Sequence, residues 1–258
     1  MSEENTATGD KSAISDTEWV VRQELAACYR LFLKFGWTDS IFTHLSARVP
    51  GHPDQYLINP FGLLFQEVTA SNLIKVDFNG NLISGDYPYN AAGHAIHSSV
   101  LKARSDINFV LHSHTRAGSA VSCMQEGLLP LSQQSGEILD LVAYHEYGLA
   151  DESNPEECAR LGEDLSDCYL MIMHNHGLLA VGRTVAEAFY YHYTLENACK
   201  VQVDVMASRA KPTIPDQQSL QRLAQFGAPL QDEPTHQATL LWEAECRLLK
   251  SVDSTWMA

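Results

Sequence analysis

Ile107-Asn108-Phe109-Val110-Leu111-His112-Ser113-His114 is a mostly apolar run that ends in two histidines one residue apart. Composition and length suit a buried strand, with Ser105-Asp106 as the break before it. Side chains two apart on a strand share a face, so His112 and His114 can offer two imidazoles to one ion. About sixty residues on, the run Tyr169–Met173 ends in His174-Asn175-His176-Gly177. Two apolar strands that each deliver His-x-His point to a metal site, because a catalytic ion usually takes three protein ligands and keeps a position open. Gly177 removes a side chain beside the last histidine and allows close backbone approach.

Outward from these strands, helical and extended patterns mix. Asp16 or Thr17 is the expected cap of a first helix, which Gly36 ends. Thr43–Val49, Gln55–Ile58 and Leu73–Asp77 read as strands, and Asn79-Gly80 as a hairpin turn into Asn81–Ser84. A helix is expected over Ala91–Ala103 and a short one over Ala117–Met124. Ser132–Gly136 reads as a loop, Leu139–Val142 as a strand, and Glu156–Leu165 as a helix capped near Ser153 or Asn154. Thr184 caps a long helix to about Ala210, with Glu187 completing a capping box. Pro212 and Pro215 stop it, and one more helix is expected around Thr239–Leu249. Two strands share a tight hairpin and no strict βαβ rhythm appears, so the pattern predicts a mixed or largely antiparallel sheet with helices on its faces, not a Rossmann-type sheet.

The organisation expected is a disordered arm over residues 1–16, a domain over 17–210 and an extension with one helix over 211–258. The 258 residues carry 32 acidic and 17 basic side chains, a net charge of −15. That field disfavours nucleic acid and anionic membrane surfaces as partners. No stretch reaches the roughly 18 consecutive apolar residues of a membrane helix. Six cysteines without a C-x-x-C pair, behind a polar N-terminus, predict a cytoplasmic protein with reduced thiols. Val185, Phe189, Tyr190, Tyr193, Leu195, Val201 and Val205 put apolar groups on more than one face of the long helix, from which an oligomer is expected.

His112-Ser113-His114 followed by Asn175-His176-Gly177 resembles the metal triad of the class II aldolase/adducin family. Ile58-Asn59-Pro60-Phe61-Gly62-Leu63-Leu64, His44-Leu45-Ser46-Ala47-Arg48, Glu67-Val68-Thr69-Ala70-Ser71, Ala143-Tyr144-His145-Glu146-Tyr147 and Glu187-Ala188-Phe189-Tyr190-Tyr191 look adducin-like in particular. The resemblance spans Val20 to Ala210. It implies a three-layer α/β/α domain with a central mixed, mostly antiparallel sheet, and a tetramer with the site near a subunit interface. It also implies a divalent ion on His112, His114 and His176: zinc first, iron(II) or manganese(II) as alternatives.

Sugar-phosphate aldolases of the family carry Ser-Ser-Glu where this chain has Ala91-Ala92-Gly93. Their phosphate-loop Gly-Asn and Thr-Gly correspond to Thr43-His44 and Phe61-Gly62 here. The acid/base carboxylate and the phosphate donors are therefore missing. His94 is the candidate to handle protons instead, with Tyr144 and Glu137 as further catalytic candidates. Phe61 and Phe65 suggest an apolar or aromatic substrate. His192 and Glu196, four apart on the long helix, read as a solvated pair.

The expected function is a metal-dependent lyase that performs retro-aldol cleavage or decarboxylation on a small non-phosphorylated oxo or hydroxy acid. Two alternatives stand beside it: an iron(II) oxygenase acting on an aromatic oxo acid, and a non-catalytic adducin-like binding module. Adducin-type chains lack the intact ligands and carry long basic tails, whereas this chain keeps the three histidines.

Overall fold

The computed structural model describes residues 14–148, 154–227 and 236–258. Residues 1–13 of the expected arm, and Ser153, lie outside them. Eight strands form one sheet: β1 (His44–Val49), β2 (His52–Ile58), β3 (Ile74–Asp77), β4 (Leu82–Ser84), β5 (Phe109–Ser113), β6 (Val142–His145), β7 (Leu170–Met173) and β8 (Gly177–Gly182). Their spatial order is β4-β3-β2-β1-β5-β8-β7-β6. Only β6 and β7 pair in parallel, through Val142 opposite Leu170; the other neighbours are antiparallel. Among the described residues eight α-helices accompany the sheet: α1 (Asp16–Phe35), α2 (Ala91–Ala103), α3 (Arg116–Ser122), α4 (Gln133–Ile138), α5 (Pro155–Leu165), α6 (Val185–Ala207), α7 (Gln217–Gly227) and α8 (His236–Val252).

Strand alternation sorts the core into layers. Leu45, Ala47, Phe109 and Leu111 pack against α1, α6, α8 and Trp256 on one face. Tyr56, Val110, Met171, Leu179 and Val181 pack against α2 and α5 on the other. Leu170, Ile172, Leu178 and Ala180 extend the first face under α3 and α6. This is the expected three-layer α/β/α domain with a mixed, mostly antiparallel sheet. Among the described residues no helix is long and apolar enough to cross a membrane.

Local readings differ in five places. Ser15 caps α1, because its Oγ accepts the Glu18 N–H, and Asp16 is already helical. Ser132–Gly136 is not a loop: Ser132 caps α4 by accepting the Ser135 N–H. Leu139–Leu141 forms a 3-10 turn and the strand starts only at Val142, since a short apolar run does not by its pattern separate strand from helix. Glu187 reaches the N–H of Arg183 rather than that of Thr184, so the capping box is displaced by one residue.

The fifth difference lies in the C-terminal extension, which holds two helices instead of one. Asp216 Oδ1 accepts the Ser219 N–H and starts α7, whose Leu220 and Leu223 lie against Gly136 of α4. α8 then returns to α1 and α6 and buries Ala238 and Leu249. Trp256, 3% exposed, accepts the Ala70 N–H at its carbonyl, so the C-terminus shares the main core. The several apolar faces of α6 are met by the sheet, α3, α4 and α8 of the same chain. Those faces therefore carry no argument for an oligomer.

Candidate metal centre

Antiparallel pairing of β5 with β8 sets Ser113 opposite Leu178 and brings His176, one residue before β8, beside the end of β5. Asn175 makes the turn between β7 and β8 with φ 56°, a left-handed conformation that asparagine tolerates. A Cβ on Gly177 would lie 2.4 Å from the Ser113 carbonyl oxygen, so only glycine lets the two strand ends approach this closely.

The three imidazoles then converge. Nε2 of His112 lies 2.8 Å from Nε2 of His114, which lies 2.9 Å from Nε2 of His176. Among the described residues this is the one group of three metal-capable side chains, and solvent reaches it from the His114 and His176 side.

The donor set fits a cation. His112 donates Nδ1–H to the Leu178 carbonyl at 2.9 Å, and His114 Nδ1 lies 3.1 Å from the Asp39 carboxylate. With their protons held at Nδ1, both Nε2 atoms present lone pairs toward one another, an arrangement that repels unless a positive charge is shared between them. The three ligand nitrogens all lie within 4.8 Å of one another, near enough for one ion to be shared among them. Burial also favours the neutral, ligating form of His112 and His176. It lowers His112 well below the ordinary histidine range and His176 to about 4, with the neighbouring histidines acting in the same direction.

Sequence reasoning passed over His44, yet this residue lies directly behind the triad. Its ring stacks on His112 with centroids 5.0 Å apart. Its Nδ1 lies 2.8 Å from Nε2 of His97, whose Nδ1 is hydrogen-bonded to Ser46 Oγ. All four residues are buried. Desolvation first, then His114 and His176, lowers His44 to about 3. The alternation of His44 and Ser46 on a strand was visible in the sequence, but only the register with β5 puts His44 opposite His112.

The catalytic candidates each have partners of their own. Residues three apart on a helix are separated by about 300°, so His94 and His97 meet different strands. His97 turns to β1, while His94 places Nδ1 2.5 Å from Tyr56 Oη and packs on Tyr89. Tyr144 accepts the Leu128 N–H at its hydroxyl and stacks on His174. Glu137 accepts from the Gln133 amide on α4. Phe65 is a core residue packed edge-on against Tyr29, 1% exposed, and lines no substrate space. His145 is buried between Glu157 and Asp164, at 2.8 and 2.7 Å, and ties β6 to α5.

Comparison with known proteins agrees with this geometry. Residues 23–203 match the family model described as Class II Aldolase and Adducin N-terminal domain. A Pseudomonas aeruginosa protein named for aldolase class 2 is 51% identical over 203 residues, covering 78% of this chain and 77% of the relative. Mouse alpha-adducin is 43% identical over 209 residues, covering 79% of this chain but only 28% of the adducin. The crystal structure of an aldolase II superfamily protein from Pseudomonas syringae superposes with a TM-score of 0.88 at 41% identity, over 95% of this chain and 98% of that one. With the fold, the converging histidines and these matches in agreement, the chain belongs to the class II aldolase and adducin N-terminal domain family.

Proposed function

We propose that the protein is a metal-dependent lyase, cleaving a carbon–carbon bond in a small, non-phosphorylated oxo or hydroxy acid. The observation that carries this reading is the convergence of three Nε2 atoms whose partner nitrogens, on His112 and His114, are already tied to acceptors. His112, His114 and His176 would hold the ion. When bound, a divalent ion, zinc in this reading, supplies a Lewis acid that draws electron density from a carbonyl or carboxylate oxygen.

Two features support a substrate without phosphate. The Asn90 side chain accepts the Ala92 and Gly93 N–H groups at 3.0 and 3.3 Å, so the start of α2 satisfies its own donors and leaves few for an anion. Thr43, at a phosphate-loop position, is fully buried with its hydroxyl inward. Protons are assigned to His44. If Ser46 donates into the chain, His97 donates to His44 Nδ1 and His44 carries its proton at Nε2; the reverse sense leaves Nε2 as an acceptor. A homotetramer is part of the same reading, drawn from the family.

The test is elemental analysis of anaerobically purified protein together with a cleavage assay on hydroxy and oxo acids, with and without phosphate. Zinc with turnover of unphosphorylated acids is the expected result. Iron would move the chemistry to oxygen activation. The similarity to alpha-adducin favours a second reading, a binding module without catalysis, which predicts neither metal nor turnover.

A further inference from the structure

Alternation along β5 sends His112 and His114 to the α2 side of the sheet and the residues between and after them, Ser113 and Thr115, to the α6 side. Both are met by buried polar groups of α6. Ser113 Oγ lies 2.8 Å from Nε2 of His192, and Thr115 Oγ1 donates to Glu196 Oε2 at 2.5 Å. His192 is fully buried and Glu196 is 1% exposed, so they are not a solvated pair.

The spacing fits a double attachment. Two residues of extended chain advance about 6.6–6.8 Å, and four residues of helix advance about 6 Å. Thr115 keeps the extended conformation of the strand, with φ −61° and ψ 151°. The two hydrogen bonds therefore pair strand and helix in a single register, and a slip by one residue would break both. Thr115 also accepts the Gly118 N–H and starts α3, so the bond to Glu196 fixes where the extended chain ends.

His192 is held there against the stability of its surroundings. Its Nδ1 is buried without a hydrogen-bond partner, as is Nε1 of Trp37, and the two rings lie 4.7 Å apart. Phe32 covers the imidazole at the same distance. An apolar ring would suit this pocket better than one with an unsatisfied nitrogen. What imidazole adds is the bond to Ser113.

We propose that His192 and Glu196 are positioning residues of the histidine triad: two rungs that fix the backbone on either side of His114 and so aim its Nε2. This rests on the triad being a metal centre. Partners of this kind typically change metal affinity 10–100-fold when lost.

The experiment titrates the purified full chain with Zn2+ against a chromophoric chelator and records the thermal midpoint of the metal-free protein in parallel. In His192→Phe the metal-free midpoint should stay or rise, while the Zn2+ dissociation constant rises 10–100-fold. Glu196→Gln keeps an acceptor for Thr115 and should bind close to wild type, whereas Glu196→Leu should lose affinity as His192→Phe does. Unchanged Zn2+ affinity in His192→Phe overturns the proposal. So does a metal-free midpoint that falls along with affinity, which would make His192 an ordinary core residue. If Glu196→Leu does not fold, His192→Phe alone decides. Wild-type protein that takes up no Zn2+ would instead sink the metal reading of the triad.

Discussion

A Cβ placed on Gly93 would lie 2.7 Å from Cδ2 of His44. The imidazole occupies the space that any side chain at position 93 would need, so His44 and a carboxylate at 93 exclude one another. Gly93→Glu should therefore destabilise the fold by roughly 1–3 kcal/mol, as overpacking of a filled core does, and should create no cleavage of phosphorylated sugars. Adding His44→Asn should recover most of that loss. Urea unfolding of both single variants and the double variant measures the coupling directly; additive effects would refute the steric account.

Asp39 accepts from His114 and stands beside the triad on the segment between α1 and β1. Asp39→Asn removes the charge that favours Nδ1 protonation and Nε2 ligation. The expected outcome is metal affinity weaker by 10–100-fold with little change in fold. Chelator competition checks it, and affinity equal to wild type would leave His114 oriented by the strand alone.

His112 and His114 were legible in the sequence because their chemistry is local: one apolar strand, period two, ending in two ligands. The resemblance picked His176 out of His174-Asn175-His176 and implied the three-layer domain with a mostly antiparallel sheet. His44 was not legible as a neighbour of the triad, because that contact depends on the register of β1 against β5, which no single segment encodes. The partner of His94 was not legible for a related reason. Its helix was placed correctly, but a 60° difference in direction from His97 decides which strand each ring meets. His192 and Glu196 show the same limit: their i,i+4 spacing is shared by solvated pairs, and only packing against Ser113 and Thr115 separates the two cases.

Replacing each ligand separately tests the triad. His112→Ala, His114→Ala and His176→Ala should each lose bound metal and still fold, since the rings sit at strand ends beyond the apolar runs of the core. His112→Ala should be the least stable of the three, because its ring is fully buried against His44 and leaves a cavity. Metal content by elemental analysis and far-ultraviolet circular dichroism check both halves. Equal metal in wild type and all three variants would remove the centre altogether.

Buried histidines also make acid the weak side of the metal-free protein. Desolvation lowers His44 and His192 to about 3, and holds His97 and His112 well below their ordinary value. In the unfolded chain these groups titrate near 6.5. Above that value both states are neutral and the groups do not alter stability. As pH falls below it, the unfolded chain takes up protons that the folded chain refuses, so stability drops until the folded values are reached. His44 and His192 together should remove about 2–3 kcal/mol per pH unit across this window. Glu24 and Glu196, raised by burial, act in the opposite sense, while the lowered Asp77, Asp106 and Asp253 matter only below about pH 4. Urea midpoints measured with chelator present should be level from pH 8 to 7 and fall steeply from 6.5 toward 4. His192→Phe should flatten that fall by the share of one histidine, about 1.4 kcal/mol per unit. A midpoint independent of pH between 6.5 and 4.5 would mean that these imidazoles stay open to water, contrary to their burial.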